Sequence, residues 1–378
     1  MTAARPLGFY EDQNGSRTLR PHDGRRSNLS LVLQSLYDDP QLTRADLARL
    51  TGLTKVTISD LVAELIDEGL VAETGMTSGA RPGKPAATLA VRDDTCDIMA
   101  LDLSAPDVLR AGIYSMRGEN RARVSLDLDG RTGPEAVDAV LELAERCASL
   151  ATRPILGVGV GTPGTVDTQG TVIAAPNFDW YGVDLQDILA ERLQVTTVIQ
   201  NDANAAVIAE TAFSEAGPTL VRVQISRGVG AGILLSGSLV LGTAAAAGEI
   251  GHVVIEHQGA MCSCGKRGCV ETWISAPALQ RRLSHESARR EDVLAEAGRR
   301  LGMALAPIVA ALDLTEVVVG GPEDLIDSVF IRACQDLIVE RTRSQFRQEF
   351  TMRQSSLGGE AVLLGAVSLV MRTTLGVS

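Results

Sequence analysis

The sequence predicts an α/β protein: an N-terminal winged helix-turn-helix domain over residues 1–92, then two α/β lobes around a cleft, over 93–212 and 213–358. Three observations predict it. The first ninety residues carry apolar stripes at helical spacing, separated by turn signals and followed by a Gly/Pro-rich tip. From residue 97 the pattern changes to short β-rich runs and then alternates helix with strand, and this succession occurs twice. At 378 residues the chain exceeds one typical domain and has enough interior for a sizeable core.

Composition narrows the class of function. Apolar residues at 45% and charged residues at 22% are ordinary for a globular chain, which excludes wholesale disorder. The net charge of -12 argues against nucleic acid until its distribution is considered. Residues 1–92 hold 11 Lys+Arg and 11 Asp+Glu, so the whole acidic excess belongs to the larger part. A DNA-binding module at the front remains open, provided its cations share one face. The start MTAARPLGFYEDQNG has no apolar signal core, and no run of 18 uncharged apolar residues occurs, so a cytoplasmic protein without membrane contact is expected. In that reducing compartment Cys96, Cys147 and Cys334 read as small buried apolar residues, with no disulfide framework.

In the front domain, Leu29, Val32, Leu33 and Leu36 fall at i, i+3, i+4 and i+7, predicting a helix that ends at Asp39-Pro40. Thr43 and Asp46 resemble a capping box for a second helix, which carries Leu47 and Leu50 and stops at Gly52. Thr54 caps a third, whose Ile58, Leu61, Val62, Leu65 and Ile66 form one stripe. Two helices across a short Gly-containing turn make a helix-turn-helix, and the start of its second helix is the end that enters the major groove. Lys55, Thr57 and Ser59 stand there. Beyond Gly69, two apolar-containing segments flank a tip with Arg81 and Lys84, the pattern of a wing that tracks phosphate or a minor groove. The competing reading is a helical protein-interaction module with these cations as solvated surface.

In the larger part, a helix is expected from about Pro134 to Leu150, a buried strand in ILGVGVGTPG, a helix in DLQDILAERLQ, and a strand entering a helix in VTTVIQNDANAAVIAE. TLVRVQISRGVGAGILLSG reads as two strands around a Gly-rich bend, TEVVVGG as a strand, and the closing helix, about 359–378, is expected to pack on the first lobe. Ligands in such sheets sit beyond the carboxyl ends of strands, which points to Gly161-Thr162-Pro163-Gly164 and Asn201-Asp202. Cys262, Cys264 and Cys269, with glycines at 265 and 268, form a tight knuckle. His252 or His257 completes a tetrahedral set of three thiolates and one imidazole, typical of a closed structural zinc site. Buried free thiols are the alternative.

GEIGH (248–252), CSCGKRGCVE (262–271), GTPGTVD (161–167) and NDAN (201–204) resemble the signature of the ROK family, named for repressor, open reading frame and kinase. The resemblance covers nearly all of residues 97–378 and implies a two-lobed actin-like/RNase H-like sugar-kinase fold. It implies a structural Zn2+ held by His252, Cys262, Cys264 and Cys269, favouring His252 over His257. It also implies a sugar in the interlobe cleft, bound through Asn201, Asp202, Glu249, His252 and Glu271. Carboxylates accept from two sugar hydroxyls, and zinc on one imidazole nitrogen fixes the tautomer at the other.

A kinase of this family uses the aspartate of NDAN as general base and needs Gly-rich loops for nucleotide phosphates. Asp202 is present, but where such kinases carry Asp-x-Gly-Gly-Thr this chain has Asp102-Leu103-Ser104-Ala105-Pro106, and Pro106 offers no N–H. Ser226-Arg227 stand where a Gly-Thr pair is usual, and Pro322 follows Gly320-Gly321. The expectation is therefore a non-catalytic, sugar-responsive transcriptional regulator, a repressor of carbohydrate-utilisation genes, that binds double-stranded operator DNA and a sugar or sugar phosphate. Helix-turn-helix pairing and the family resemblance imply a homodimer or homotetramer, with the dimerisation surface in the second lobe. The alternatives are an ATP-dependent sugar kinase with a regulatory head, and a regulator controlled by a protein partner.

Overall fold

The computed structural model describes residues 21–76, 86–285, 289–343 and 349–377; Arg81 and Lys84 lie outside them. The front domain folds as α1 (Pro21–Asp38), α2 (Arg44–Thr51), α3 (Lys55–Asp67), β1 (Val71–Met76) and β2 (Ala87–Val91). The capping box forms: Thr43 accepts from the Asp46 backbone N–H while the Asp46 carboxylate accepts from Thr43. Thr54 caps α3 through Thr57 N–H, and α3 buries Ile58, Leu61, Val62 and Leu65 against Val32, Leu33 and Leu36. β1 and β2 pair antiparallel as the stem of the wing.

The first lobe contains β3 (Asp97–Asp102), β4 (Val108–Tyr114), β5 (Asn120–Asp127), α4 (Gly133–Ala148), β6 (Ile155–Thr162), β7 (Thr165–Val166), β8 (Val172–Ala175), β9 (Trp180–Val183), α5 (Leu185–Leu193) and β10 (Thr197–Asn201), and α6 (Asp202–Phe213) follows. Its main sheet has the order β10-β6-β3-β4-β5, while β7, β8 and β9 form a small separate sheet. The second lobe contains β11 (Leu220–Ile225), β12 (Val229–Leu235), β13 (Ser238–Leu239), α7 (Glu271–Ile274), α8 (Ala276–Leu283), α9 (Arg290–Ala311), β14 (Glu316–Gly320), α10 (Ser328–Thr342) and β15 (Thr351–Gln354), ordered β13-β12-β11-β14-β15. α11 (Ala361–Thr374) closes the chain.

α6 and α11 cross between the sheets. α11 lies on β3, β6 and β10 and packs along α6, while α6 also packs on β11 and β12. The approach is close because Gly365 faces the Ala205 backbone, where any side chain would collide. Behind this crossing lies a buried charge cluster: Arg222 on β11 donates Nε to Glu210 Oε1 at 3.1 Å, and Ser355 Oγ donates to the same oxygen. Glu210 and Arg222 are both buried, so one carboxylate ties α6 to the second lobe. Two features go beyond the expected elements, the β7-β8-β9 sheet and the paired helices α9 and α10 that cover the second sheet. Among the described residues no helix is long and apolar enough to cross a membrane.

The front domain shares its core with the first lobe. Leu29, Val32 and Leu36 belong to one buried cluster with Ile98, Met116, Leu375 and Val377. Tyr37 Oη donates to the Met116 carbonyl at 2.9 Å, with the Arg117 guanidinium 5.2 Å from its ring centroid.

Candidate functional site

The parallel strands β3, β6 and β10 end side by side: Asp102 and Gln200 both flank Gly161, and Asn201 lies opposite Thr162. Asn201 is the N-cap of α6. Its Oδ1 accepts from the Ala203 and Asn204 N–H groups at 3.0 and 3.1 Å, and its Nδ2 donates to the Gly164 carbonyl at 2.8 Å. One amide hydrogen is left for a ligand. Asp202 is the first residue of α6, and burial pushes its carboxyl up to about 7; the Ala203 N–H and Arg222 oppose the shift, while the charges of Asp102 and Glu249 add to it. Asp202 of the first lobe therefore lies within electrostatic reach of Glu249 in the second. Burial also raises Asp102.

The first two N–H groups of the turn after β3 are bonded within the chain. Leu103 N–H donates to the Gly161 carbonyl at 2.8 Å and Ser104 N–H to Asp102 Oδ1 at 2.9 Å. Across the cleft, Ser226 N–H donates to the Gly228 carbonyl at 2.9 Å, and Val229 N–H donates to Glu271 Oε2 at 2.9 Å. Glu271 begins α7, and its other oxygen lies 3.7 Å from Cys262 Sγ. It thus connects the cysteine knuckle to the bend before β12.

The knuckle brings His252, Cys262, Cys264 and Cys269 together, with one donor atom from each all within 4.8 Å of one another. His257 is exposed and outside the group. The separations fit a metal: Cys262 Sγ to His252 Nδ1 is 3.5 Å and Cys264 Sγ to Cys269 Sγ is 3.6 Å. Tetrahedral ligands at zinc–sulfur bond length stand about 3.8 Å apart. The chain is shaped for this closure, since Gly268 has φ +72 and any side chain there would collide with the Glu256 carbonyl. Burial pushes the Cys269 thiol up to about 12, whereas the Lys266 backbone N–H holds Cys264 below its ordinary value. Trp273 braces the knuckle between the Arg282 and Arg300 guanidinium groups, at 3.9 and 3.7 Å from its ring centroid, and donates Nε1 to Glu256 at 3.2 Å. With Nδ1 turned to the thiols, His252 presents Nε2 towards the cleft, 3.9 Å from Glu249 Oε2.

On the front domain, Lys55 and Ser59 line a groove of about 350 Å³ with Arg44 and the base of β2. Arg44 went unnoticed in the sequence, although its place directly after the Thr43 cap puts it at the start of α2. It donates to Glu73 at 2.7 Å. Thr57 is half-buried with its hydroxyl 2.9 Å from that of Thr54, and Ser59 Oγ donates back to the Lys55 carbonyl at 2.9 Å.

A winged helix fused to two α/β lobes, with a knuckle of one histidine and three cysteines on their cleft, defines a DNA-binding head on a sugar-kinase-like body. The chain belongs to the ROK family, whose pattern matches residues 107–373, while a MarR family pattern matches residues 30–77. It is 28% identical to the xylose repressor of Caldicellulosiruptor bescii, over 93% of this chain and 97% of that relative. A solved ROK family transcriptional regulator, a homolog of the Escherichia coli Mlc protein, shares the fold with a TM-score of 0.80 at 23% identity, over 92% of this chain and 96% of that one. A ROK family glucokinase from Streptomyces griseus, solved with glucose and AMPPNP, matches at a TM-score of 0.63 and 25% identity over 72% of this chain and 98% of its own.

Proposed function

We propose that the protein is a sugar-responsive transcriptional repressor of carbohydrate-utilisation genes. In this reading residues 1–92 grip operator DNA, and the cleft between 93–212 and 213–358 takes a sugar or sugar derivative. The observation that carries it is the joining, in one chain, of a winged helix to a kinase-type cleft whose first phosphate turn has its Leu103 and Ser104 N–H groups already bonded and a proline at 106. The similarity to a relative named as a xylose repressor along nearly its whole length supports it.

His252, Cys262, Cys264 and Cys269 would hold zinc, which supplies a fixed scaffold; four protein ligands leave no position for substrate, so its chemistry is positional. His252 then keeps one tautomer and aims Nε2 at a sugar hydroxyl. Glu249, Glu271 Oε1, Asp202 and the free Asn201 amide hydrogen are the other sugar contacts. Lys55, Thr57, Ser59, Arg81 and Lys84 contact DNA, with Arg44 beside Lys55 and Ser59. The protein acts as a homodimer or homotetramer on a two-fold-related operator.

Regulation follows from the packing. Closure of the lobes on a sugar moves α6, whose first turn lines the cleft; α6 packs along α11, and the end of α11 packs on α1 of the head. A tenfold change in operator affinity needs only about 1.4 kcal/mol of differential sugar binding between two arrangements. The test against the kinase alternative is a coupled ATP-consumption assay over hexoses, pentoses and amino sugars. No turnover is expected, and a rate of about one per second, the low end for kinases, overturns the repressor reading.

A further inference from the structure

We infer that Val56 reads a thymine methyl group in the operator, making this valine a specificity-determining residue of the head. The inference rests on the DNA-binding reading above. Val56 is the most exposed large apolar side chain among the described residues, at 72%, and it lies in the first turn of α3, between Lys55 and Thr57. That turn is the part of a helix-turn-helix that faces base edges. The hydroxyls around it are poorly placed to read a base, because Thr57 is half-buried against the Thr54 cap and Ser59 gives its hydrogen to the Lys55 carbonyl. The Thr57 hydroxyl is paired with that of Thr54 and the Ser59 hydrogen is turned inward, so the side chains of this turn that stand most open to a base edge are a cation and an apolar branch. Lys55 borders the groove with Arg44, a position suited to phosphate. The apolar feature that DNA presents in the major groove is the thymine C5-methyl, and a β-branched side chain with few rotamers is preset to pack on it.

The experiment uses the full-length protein. A preferred duplex is first selected from a random pool, and each of its thymines is then replaced by deoxyuridine, which removes only the methyl. Affinities are read by fluorescence anisotropy at one fixed salt concentration. For the wild type, one thymine per half-site loses about fourfold in affinity on demethylation, the worth of one buried methyl. Val56→Ala binds the thymine and deoxyuridine duplexes equally at that position, while Leu50→Ala, which removes a comparably exposed side chain at 65% from α2, keeps the fourfold difference. A circular-dichroism melt unchanged in V56A shows that the head is folded. The inference is overturned if V56A keeps the wild-type difference at every thymine, or if the wild type shows none. Failure to select any duplex instead overturns the DNA-binding reading itself.

Discussion

The Ser30 hydroxyl, in the first helix of the head, donates to the Leu375 carbonyl at the far end of the chain, at 3.0 Å and in a buried setting. The first helix of the head is thereby joined to the end of α11, and the head sits on the same core as the lobe that carries Asn201 and Asp202. If this junction carries the sugar signal, Leu375→Ala weakens coupling more than it weakens either binding event. Calorimetry should find sugar affinity within about twofold of wild type, alongside a stability loss of about 2–3 kcal/mol for the truncated core residue. Anisotropy should show at least half of the sugar-driven change in operator affinity gone. An undiminished change would send the signal by another path.

The metal centre makes a compositional prediction. Elemental analysis of the purified protein should return about one zinc per chain, and Cys269→Ser, at a fully buried position, should return far less. Its melting temperature should fall by more than about 5 °C, since knuckle, Trp273 and the Glu271 carboxylate are held together by one loop. Zinc-free wild-type protein of unchanged stability would exclude a structural metal.

Asp202 makes stability depend on pH. Its folded-state value near 7 lies above the ordinary 3.8, so between these limits the folded protein keeps a proton that the unfolded chain has released. The associated stability is complete below about pH 4 and is lost as pH rises through 7. Asp202→Asn is neutral throughout and escapes that loss. Urea unfolding should show the variant gaining on wild type by on the order of 3 kcal/mol between pH 4.5 and 8. A gap independent of pH would mean that the carboxylate titrates normally.

The buried pair behind the cleft gives a mutational test of how α6 is held. Arg222→Ala leaves Glu210 buried without its closest guanidinium and should cost about 3–5 kcal/mol in urea unfolding. The double variant Arg222→Met with Glu210→Leu should recover much of that. A cost below about 1 kcal/mol for R222A would show that Arg353, whose Nη1 is 3.6 Å from Glu210, replaces it.

The parts legible in the sequence were those governed by local rules. The Thr43-Asp46 box, the Thr54 cap and the stripe from Ile58 to Leu65 all lie within one or two turns of chain, and each formed as spaced. The knuckle was legible because three thiols stand within eight positions, while the choice of His252 over His257 came from the family resemblance and not from spacing. What stayed hidden depends on residues far apart. Ser30 and Leu375, or Glu210 and Ser355, carry no periodic or motif signal that pairs them. The β7-β8-β9 sheet uses strands too short to show alternation, and α9 and α10 were passed over between more obvious strands. Asn201 shows a third kind of gap: a motif named the residue, but only the structure shows most of its amide engaged in capping α6 and holding Gly164.

The central claim is that a sugar in the cleft changes the grip of the head on DNA, and it is tested most directly by titrating the selected operator duplex with the full-length protein while a panel of free and phosphorylated sugars is added in turn. The account predicts that at least one sugar shifts operator affinity tenfold or more in the wild type, and that Glu249→Gln with Glu271→Gln abolishes the shift while leaving sugar-free operator binding within about threefold. It is contradicted if no sugar moves the operator affinity, or if the shift survives intact in the double variant.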